Sequence, residues 1–306
     1  MRTALPRVLP AVIVGVALLT ACGSQRAGAP GGSAPGDDAG RPRMPPPQEL
    51  PGDPEGLEKD GVRITGMSEA PRSGDPAPAT VGFEVSNGQG ESFTYTVTFS
   101  LVSQSGAVLS NTDHTVPSVG AGRTVAGTVS LDAMRPDGLD SAHVRIAKVR
   151  RVPTEEAPAE TGACPSSGMR ITADDGDAAM GLRVVGLRLE NCGTGGFRLD
   201  GYPLLEVLDE DRTPVSGVTV VRGSGGIATV TGFDDPPQPM TLKPGETAST
   251  ALMWRNTTEA GTPVNAPYVR VRTEPGSRPV MLTPELDLGT TGKLGVRPWK
   301  KDDPSG

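Results

Sequence analysis

The sequence predicts an all-β protein with two antiparallel β-sandwich domains. Short runs of alternating apolar and polar residues, typical of strands, recur from residue 61 to about residue 299. The chain has 41 glycines and 31 prolines among 306 residues, about twice their usual share. That composition excludes a helical bundle or a coiled coil. Hydrophobic residues make up 35%, so one part of the chain can bury a core while another part cannot.

Composition and charge also exclude one class of partner. Aromatic residues make up only 3% of the chain, which is too few for surfaces that stack nucleic-acid bases. The formal net charge of −7 opposes contact with a phosphate backbone. We therefore expect no nucleic-acid partner.

Residues 1–21 have the order of a lipoprotein signal peptide. Arg2 and Arg7 precede an apolar run that ends at Leu19 and is too short for a stable membrane span. The ending Leu-Thr-Ala-Cys resembles a bacterial lipobox, which implies that Cys22 becomes the acylated first residue and carries fatty acids such as palmitate. Two or three acyl chains would hold the protein on the extracytoplasmic face of the cell membrane. The alternative is an ordinary secretory signal with an unmodified Cys22.

Residues 22–56 are predicted to be a disordered tether. They consist mostly of Gly, Pro, Ala, Ser, Asp and Arg, and so few aliphatic side chains cannot offset the entropy of ordering the chain. As a flexible coil the segment spans about 30 Å, enough to lift a folded head from the membrane. A second interpretation is that its proline-rich part is a ligand for another envelope protein.

Residues 57–152 are predicted to form the N-terminal sandwich. In the clearest strand, Phe93, Tyr95, Val97 and Phe99 share one face, and three threonines share the other. The domain resembles the immunoglobulin-like modules common in bacterial envelope proteins.

Residues 153–162 have no periodicity and predict a short linker. The β pattern then resumes over residues 163–300 as a second immunoglobulin-like sandwich, and residues 301–306 are predicted to be a disordered tail.

The two halves contain matching features. Asn87 precedes Phe93 by the same six-residue step that separates Asn191 from Phe197. Further on, the turn at 119–124 matches the turn at 242–247. A duplicated topology explains this match, and convergence on common hairpin turns explains it as well.

Several short motifs lie between residues 163 and 300. They are Cys164, Asn191-Cys192-Gly193, Leu199-Asp200-Gly201-Tyr202-Pro203, the turn from Leu242 to Gly245, Trp254-Arg255-Asn256 and the ending Asp287 to Leu294. Together they resemble domain of unknown function 4232, a family of secreted proteins and lipoproteins in high-GC Gram-positive bacteria, the actinobacterial type. The resemblance implies no activity. Many relatives carry a cysteine where this chain has Phe197, so a second disulfide is not expected.

Cys164 and Cys192 are predicted to form a disulfide. If Cys22 is acylated, they are the only thiols left, and the extracytoplasmic compartment is oxidising. Such a bridge would tie the start of the second domain to its sheet. Two free buried thiols, or a redox pair, are the alternatives.

A candidate interaction loop lies in the stretch from Asp211 to Met240. This stretch interrupts the features that the two halves share, and binding groups are usually placed on loops of a rigid scaffold. A buried strand pair that completes the sheet is the alternative. The candidate interaction residues are Val218, Val220, Arg222, Gly225, Ile227 and Phe233.

No arrangement of residues predicts catalysis or metal binding. His114 and His143 both lie in the first domain and lack partners at zinc-site spacing. The acidic clusters lack the glutamate of an EF-hand and are expected to be solvated turns. No nucleophile elbow is present, and no histidine lies in the second domain to activate a serine. We expect a protein that is not an enzyme and that has no cofactor.

The strand from Arg145 to Arg151 carries a basic stripe. A charged edge strand that prevents edge-to-edge pairing explains it, and docking to an anionic envelope polymer is the alternative.

These observations predict a lipoprotein that acts as a binding or scaffolding module in the cell envelope. Its partners are expected to be the lipid bilayer, through Cys22, and an envelope protein. An accessory lipoprotein that captures a solute for a transporter is the alternative, and a hydrolase is a more distant one. A solute binder should have a concave apolar pocket with a few polar groups, whereas an interaction module should present a flat patch.

Overall fold

The computed structural model describes residues 56–68, 79–131, 142–159 and 162–303. These residues form strands and turns without an α-helix, which confirms the all-β fold class. They belong to one compact unit, Leu50–Gly306. In the same residues no helix has the length and apolar character of a membrane span. The predicted signal peptide, Cys22 and the tether up to residue 55 lie outside the described residues.

The first half of the unit is built from long hairpin-connected strands. They form two antiparallel sheets, with strand orders β1-β2-β3-β6 and β5-β4-β7. Their bounds are β1 Glu58–Lys59, β2 Val62–Ser68, β3 Ala79–Ser86, β4 Phe93–Val102, β5 Val108–Val119, β6 Thr124–Leu131 and β7 His143–Pro153.

Both of these sheets contribute side chains to one core. Phe93, Tyr95, Val97 and Phe99, predicted to share a face, are each at most 1% exposed. Across the core, the ring centroid of Phe83 on β3 lies 5.1 Å from that of Phe99. Burial of large aromatic side chains supplies much of the stability of a domain of this size. The immunoglobulin-like assignment stays a prediction.

The second half has shorter strands and more sheets. The bounds are β8 Met169–Ala173, β9 Asp177–Ala179, β10 Leu182–Asn191, β11 Phe197–Leu199, β12 Leu204–Leu208, β13 Thr219–Arg222, β14 Met240–Leu242, β15 Thr247–Arg255, β16 Asn265–Ala266, β17 Tyr268–Arg272, β18 Val280–Leu282, β19 Leu286–Asp287, β20 Lys293–Val296 and β21 Lys300–Lys301.

The largest sheet of the second half has seven strands. Its main path is β13-β20-β15-β10-β8, with β21 beside β15 and β9 beside β10. The strands β12-β17-β18 form a second sheet, and the pairs β11-β14 and β16-β19 form two small ones. The pair β13-β20 is parallel and departs from the antiparallel prediction. A separate core, which includes Leu187, Leu252, Trp254 and Val271, lies inside these sheets.

The first of the two matching features is a corner built around Asn87, which is buried. Its Nδ2 donates to the backbone oxygens of Glu91 and Val119, at 2.7 and 2.8 Å. Its Oδ1 accepts from the backbone N–H of Gln89 at 2.9 Å, and its backbone oxygen accepts from Gly122 at 2.8 Å. One side chain therefore holds its own turn and a distant turn together.

Asn191 makes the same set of bonds in the second half. Its Nδ2 donates to the backbone oxygens of Gly195 and Leu242, both at 2.8 Å. Its Oδ1 accepts from Gly193 at 3.1 Å, and its backbone oxygen accepts from Gly245 at 2.7 Å. The strand order β2-β3-β6 around the first corner corresponds to β8-β10-β15 around the second. Agreement in long-range partners favours a duplicated topology over convergence on one local turn.

Two segments predicted to lack structure are ordered where they are described. In the linker, the Glu156 backbone oxygen accepts from the N–H of Met281 at 2.7 Å. In the tail, Lys301 belongs to β21, and the N–H of Asp302 donates to Thr247 at 3.0 Å. Both segments thus bind residues that are distant in sequence. The linker, the tail and the domain boundaries stay predictions.

Candidate functional site

The predicted disulfide between Cys164 and Cys192 is confirmed. The two Cα atoms lie 5.7 Å apart across a sequence separation of 28. Cys192 directly follows Asn191, so the bridge attaches the start of the second half to the end of β10. In the chain-entropy description, closing a loop of this length stabilises the fold by about 3.5 kcal/mol.

Arg150 on β7 joins the two halves through carboxylates. Its guanidinium donates to both oxygens of Glu285, at 2.6 and 2.8 Å, and to Glu210 at 3.2 Å. Burial lowers the pKa of Arg150, but the hydrogen bond and charge of Glu285 outweigh that effect, and the net pKa is raised. Lys148 Nζ lies 3.5 Å from Glu285. This part of the basic stripe therefore faces the second half, so neither explanation offered for it from the sequence covers Lys148 and Arg150.

Arg270 on β17 is held by a similar pair of carboxylates. Its Nε donates to Glu156 at 2.8 Å and its Nη1 donates to Glu206 at 2.7 Å. Because Glu156 lies in the predicted linker, this pair fixes the linker against the second half. Bidentate and forked contacts of this kind are geometrically specific as well as strong.

An apolar cluster lies beside these ion pairs. It consists of Val152, Leu208, Tyr268 and Met281, all buried. Burial is the main cause that raises the pKa of Tyr268, whose hydroxyl accepts from the backbone N–H of Arg151 at 3.4 Å. Apolar packing and ion pairs thus hold the halves in one arrangement. Sequence reasoning missed this junction, although the same-face spacing of Lys148 and Arg150 was a signal for it.

The interaction loop divides into an exposed part and a buried part. Val220 on β13 is 41% exposed, and Arg222 lies over the ring of Tyr202, with 5.4 Å between its guanidinium carbon and the ring centroid. Gly225 is exposed in the turn that follows. Val218 is half-buried and packs against the main core. The exposed candidates are therefore Val220, Arg222 and Gly225.

Phe233 and Ile227 belong to a second apolar cluster rather than to the surface. Phe233 is 2% exposed and packs with Ala251 and Met253 on the face of the large sheet opposite its main core, and Ile227 packs against the same cluster. The place of Phe233 in the interaction loop is corrected, because the insertion folds back on the sheet and buries this ring on that face. Ile227 is only half-buried, and its role stays a prediction. The alternative of strands completing the sheet holds for β13.

Asp234 fastens the buried part of the insertion. Its Oδ1 accepts from the backbone N–H of Ser224 at 2.8 Å, and this bond is the main cause that lowers the pKa of Asp234. Gly223 precedes this turn with a φ of +75°, and a Cβ there would collide with the Asp234 carboxylate. The hydrogen bond of Asp234 and the left-handed backbone of Gly223 thus hold this turn of the insertion in place.

Two concave regions among the described residues are large enough to hold a small molecule. A cavity of about 480 Å³ lies at the junction of the halves and has hydroxyl, proline and apolar side chains in its wall, among them Thr94, Pro158, Phe197 and Val280. A larger groove of about 1190 Å³ crosses the outer face of the seven-stranded sheet. Among the described residues no cluster of three or more His, Cys, Asp or Glu side chains could hold a metal ion.

Comparison with known proteins bears on the second half. Residues 164–300 match the family Domain of unknown function (DUF4232). This confirms the resemblance predicted from the motifs. No match was found among curated proteins. A crystal structure of red sea bream transglutaminase aligns with 10% identity and a TM-score of 0.18, over 78% of this chain and 31% of that one. The chain spans under a third of that protein, and the alignment carries no argument about fold or activity.

The motif residues in the segment that matches DUF4232 make bonds that hold its strands together. Trp254 Nε1 donates to Asp287 Oδ1 at 2.6 Å, and Asn256 Nδ2 donates to Asp287 Oδ2 at 3.1 Å. Arg255 donates to the backbone oxygen of Ile227 at 2.9 Å and so supports the insertion. These motif residues thus account for how strands that are distant in the chain are held together.

Proposed function

We propose that the protein is a membrane-anchored extracytoplasmic lipoprotein that acts as a binding or scaffolding module in the cell envelope and has no catalytic activity. The lipobox at Cys22 supports the anchor, and the composition of residues 22–56 supports a tether that lets a folded head search the space above the membrane. The ion pairs of Arg150 and Arg270 support a head that moves as one piece.

The observation that carries this proposal is the open edge of β13. Among the described strands, β13 is the last one of the large sheet and pairs only with β20. Because backbone groups alternate along a strand, those of Val220 and Arg222 point away from β20 when Thr219 and Val221 face it. An open edge with an exposed valine can accept an extended segment of a partner protein as an additional strand.

Solute capture for a transporter is a second candidate, and the 480 Å³ cavity favours it. This volume lies within the range of small-molecule sites, which is about 300–1,000 Å³. The wall mixes hydroxyls with apolar side chains such as Met169 and Ile171. A solute bound there would contact both halves and the residues after β7.

The test of the binding module is in-cell cross-linking of the full-length protein with single substitutions at matched positions. Val220→Lys should abolish cross-links to neighbouring proteins, because a charged side chain opposes strand addition. Leu204→Lys is the control, since Leu204 is 40% exposed on β12. Cross-links that survive Val220→Lys, or that disappear equally in both variants, would defeat the assignment to β13.

The anchor has a separate test. Intact mass spectrometry of the membrane fraction should find acyl chains on Cys22, and Cys22→Ala should release the protein or stall its processing. An unmodified Cys22 in a protein that stays in the membrane fraction would contradict lipidation.

A further inference from the structure

The groove on the outer face of the seven-stranded sheet has a floor of small residues. The floor is formed by Gly186 on β10 and by Ser249 and Ala251 on β15. Gly186 lies directly opposite Ala251, and Arg188 lies directly opposite Ser249, so each pair shares a face of the sheet. A Cβ at residue 186 would collide with the carboxylate of Asp174. The Asp174 carboxylate therefore occupies the space above Gly186, and Ser249 and Ala251 form the rest of the floor.

Three cationic residues neighbour Ser249, two by strand register and one by a hydrogen bond. Arg188 on β10 and Lys300 on β21 are the residues directly opposite it on the two neighbouring strands. Arg297 Nη2 donates to Ser249 Oγ at 3.3 Å. In the described part of the chain none of the three forms an ion pair with a carboxylate. Positive charge therefore converges on one hydroxyl within a groove.

Arg297 has an unused donor. Its Nε is buried and has no hydrogen-bond partner. A buried donor without an acceptor is costly, and most such groups in native proteins find a partner, a water or a ligand. Arg150 and Arg270 show the contrast, because carboxylates of this chain satisfy both of them. An anion beside Ser249 would give the guanidinium of Arg297 the charged partner that it lacks among the described residues, at the Nη2 that lies 3.3 Å from Ser249 Oγ.

The carboxylates that line the groove do not serve as the anionic partner of Arg297. Of the five that line it, Asp177 and Asp303 are exposed, and three already accept hydrogen bonds. Those three are Asp174, bonded to the backbone of Gly176 and Gly186; Glu246, bonded to Lys301 and to the backbone of Lys243; and Asp302, bonded to Thr247. Arg188 Nη2 donates to the neutral hydroxyl of Thr247 at 3.3 Å, and among the described residues no carboxylate pairs with Arg188, Arg297 or Lys300, so their charges are available to an external anion.

We propose that this groove binds a phosphate group beside Ser249. Arg188, Arg297 and Lys300 come from three different segments of the chain beside Ser249, and a tetrahedral oxyanion can accept hydrogen bonds from all three. A planar carboxylate is satisfied by one guanidinium fork. The site goes beyond the proposed function, because it uses a different surface from the β13 edge and needs no partner protein. Free phosphate and the phosphodiester headgroup of a lipid offer the same chemistry.

Titration calorimetry of the purified full-length protein with inorganic phosphate at low ionic strength tests the site. The variant Arg188→Gln/Arg297→Gln/Lys300→Gln should lose at least about tenfold in affinity, because it removes the charge-assisted hydrogen bonds. The control Arg123→Gln/Arg198→Gln/Lys293→Gln removes the same charge from exposed positions outside the groove. The phosphate affinity of this control variant should stay within about twofold of that of the wild type.

The result that overturns the proposal is an unaltered phosphate titration in the groove variant, or an equal loss in the control. Wild-type protein that binds no phosphate up to about 50 mM overturns it as well. Arg297→Gln alone, checked for folding by tryptophan fluorescence, should weaken binding and serves if the triple variant unfolds. Flotation with phosphatidylglycerol and phosphatidylcholine vesicles, using Cys22→Ala protein to remove the anchor, then separates the sources. Groove-dependent binding to the anionic vesicles assigns a lipid headgroup, and binding to inorganic phosphate alone assigns the free ion.

Discussion

The two halves of the unit use the same asparagine corner but hold their first strands in different ways. In the first half Gly88 follows Asn87, and the short hairpin of β1 and β2 starts the fold, with the backbone of Ser86 donating to Gly61 at 2.7 Å. In the second half Cys192 follows Asn191 and a disulfide ties down the start of the fold. One corner therefore accepts either a hydrogen-bonded hairpin or a covalent bond as the means of fixing the chain that leads into it.

The halves differ further in what is added beyond the shared strands. The first half ends its sheet at β6, which corresponds to β15 of the second half. Beyond β15 the second half adds β20, β13 and β21, and it covers part of the outer sheet face with Phe233 and its neighbours. These additions form the open edge of β13 and one side of the groove on the outer face of the seven-stranded sheet. Function is thus expected in what distinguishes the second half from the first.

The largest expected effect comes from the disulfide. Replacing both Cys164 and Cys192 with serine should destabilise the second half by about 3.5 kcal/mol, because the unfolded chain regains loop entropy. Both tryptophans, Trp254 and Trp299, lie in the second half, so their fluorescence during denaturant unfolding reports on that half. Hydrogen exchange in β3 and β4 should change much less. An equal loss of protection in both halves would mean that they unfold as one unit.

The asparagine corners give the next largest effect. Asn87→Ala and Asn191→Ala should each cost about 2–4 kcal/mol, because each removes three hydrogen bonds and leaves two backbone oxygens without their donor. Thermal unfolding measures both variants, and Asn265→Ala at an exposed position of β16 is the control. Costs that differ by more than about 2 kcal/mol would show that the corners are energetically unlike despite the same geometry.

A smaller effect is expected at the junction of the halves. Glu285→Gln should cost about 1–2 kcal/mol, because it weakens the bidentate bond to Arg150. It should also move the unfolding of the two halves further apart in calorimetry, whereas Glu274→Gln at an exposed position should not. An unchanged separation in Glu285→Gln would assign the contact between the halves to the apolar cluster instead.

The smallest effect is a difference in acid sensitivity between the corners. The position of Glu246 in the second corner is occupied by Arg123 in the first. The hydrogen bond from Lys301, followed by that from the Lys243 backbone, lowers the pKa of Glu246. A carboxyl with a lowered folded pKa stabilises the fold above its unfolded pKa, and this contribution is lost as the pH falls through the folded value.

Glu246→Gln should therefore flatten the acid side of the stability profile of the second half, measured by tryptophan fluorescence from neutral pH to about pH 3. Glu259→Gln, at an exposed position, is the control. An acid profile that is the same in Glu246→Gln and wild-type protein would remove Glu246 from this account.

Much of the framework could be predicted from residue order alone. Alternation in β4 predicted its buried face, and the count and compartment of the cysteines predicted the disulfide. The candidate interaction residues were predicted less well. Val220 and Phe233 are both apolar residues of a glycine-rich stretch, yet Val220 is on the surface and Phe233 is buried. Composition cannot separate the two, because the sheet face that covers Phe233 comes from β15.

By itself the sequence determined the features whose causes are local. In each asparagine corner the side chain makes two of its bonds within four residues, and only its third bond needs a turn that is distant in the chain. Tertiary structure alone decided the parallel pairing of β13 with β20, the contacts of Lys148 and Arg150 with Glu285, and the convergence of three cations on Ser249. Each of these depends on strands distant in the chain becoming neighbours. The free energy of such contacts comes from the assembled sheets, and no short stretch of sequence contains it.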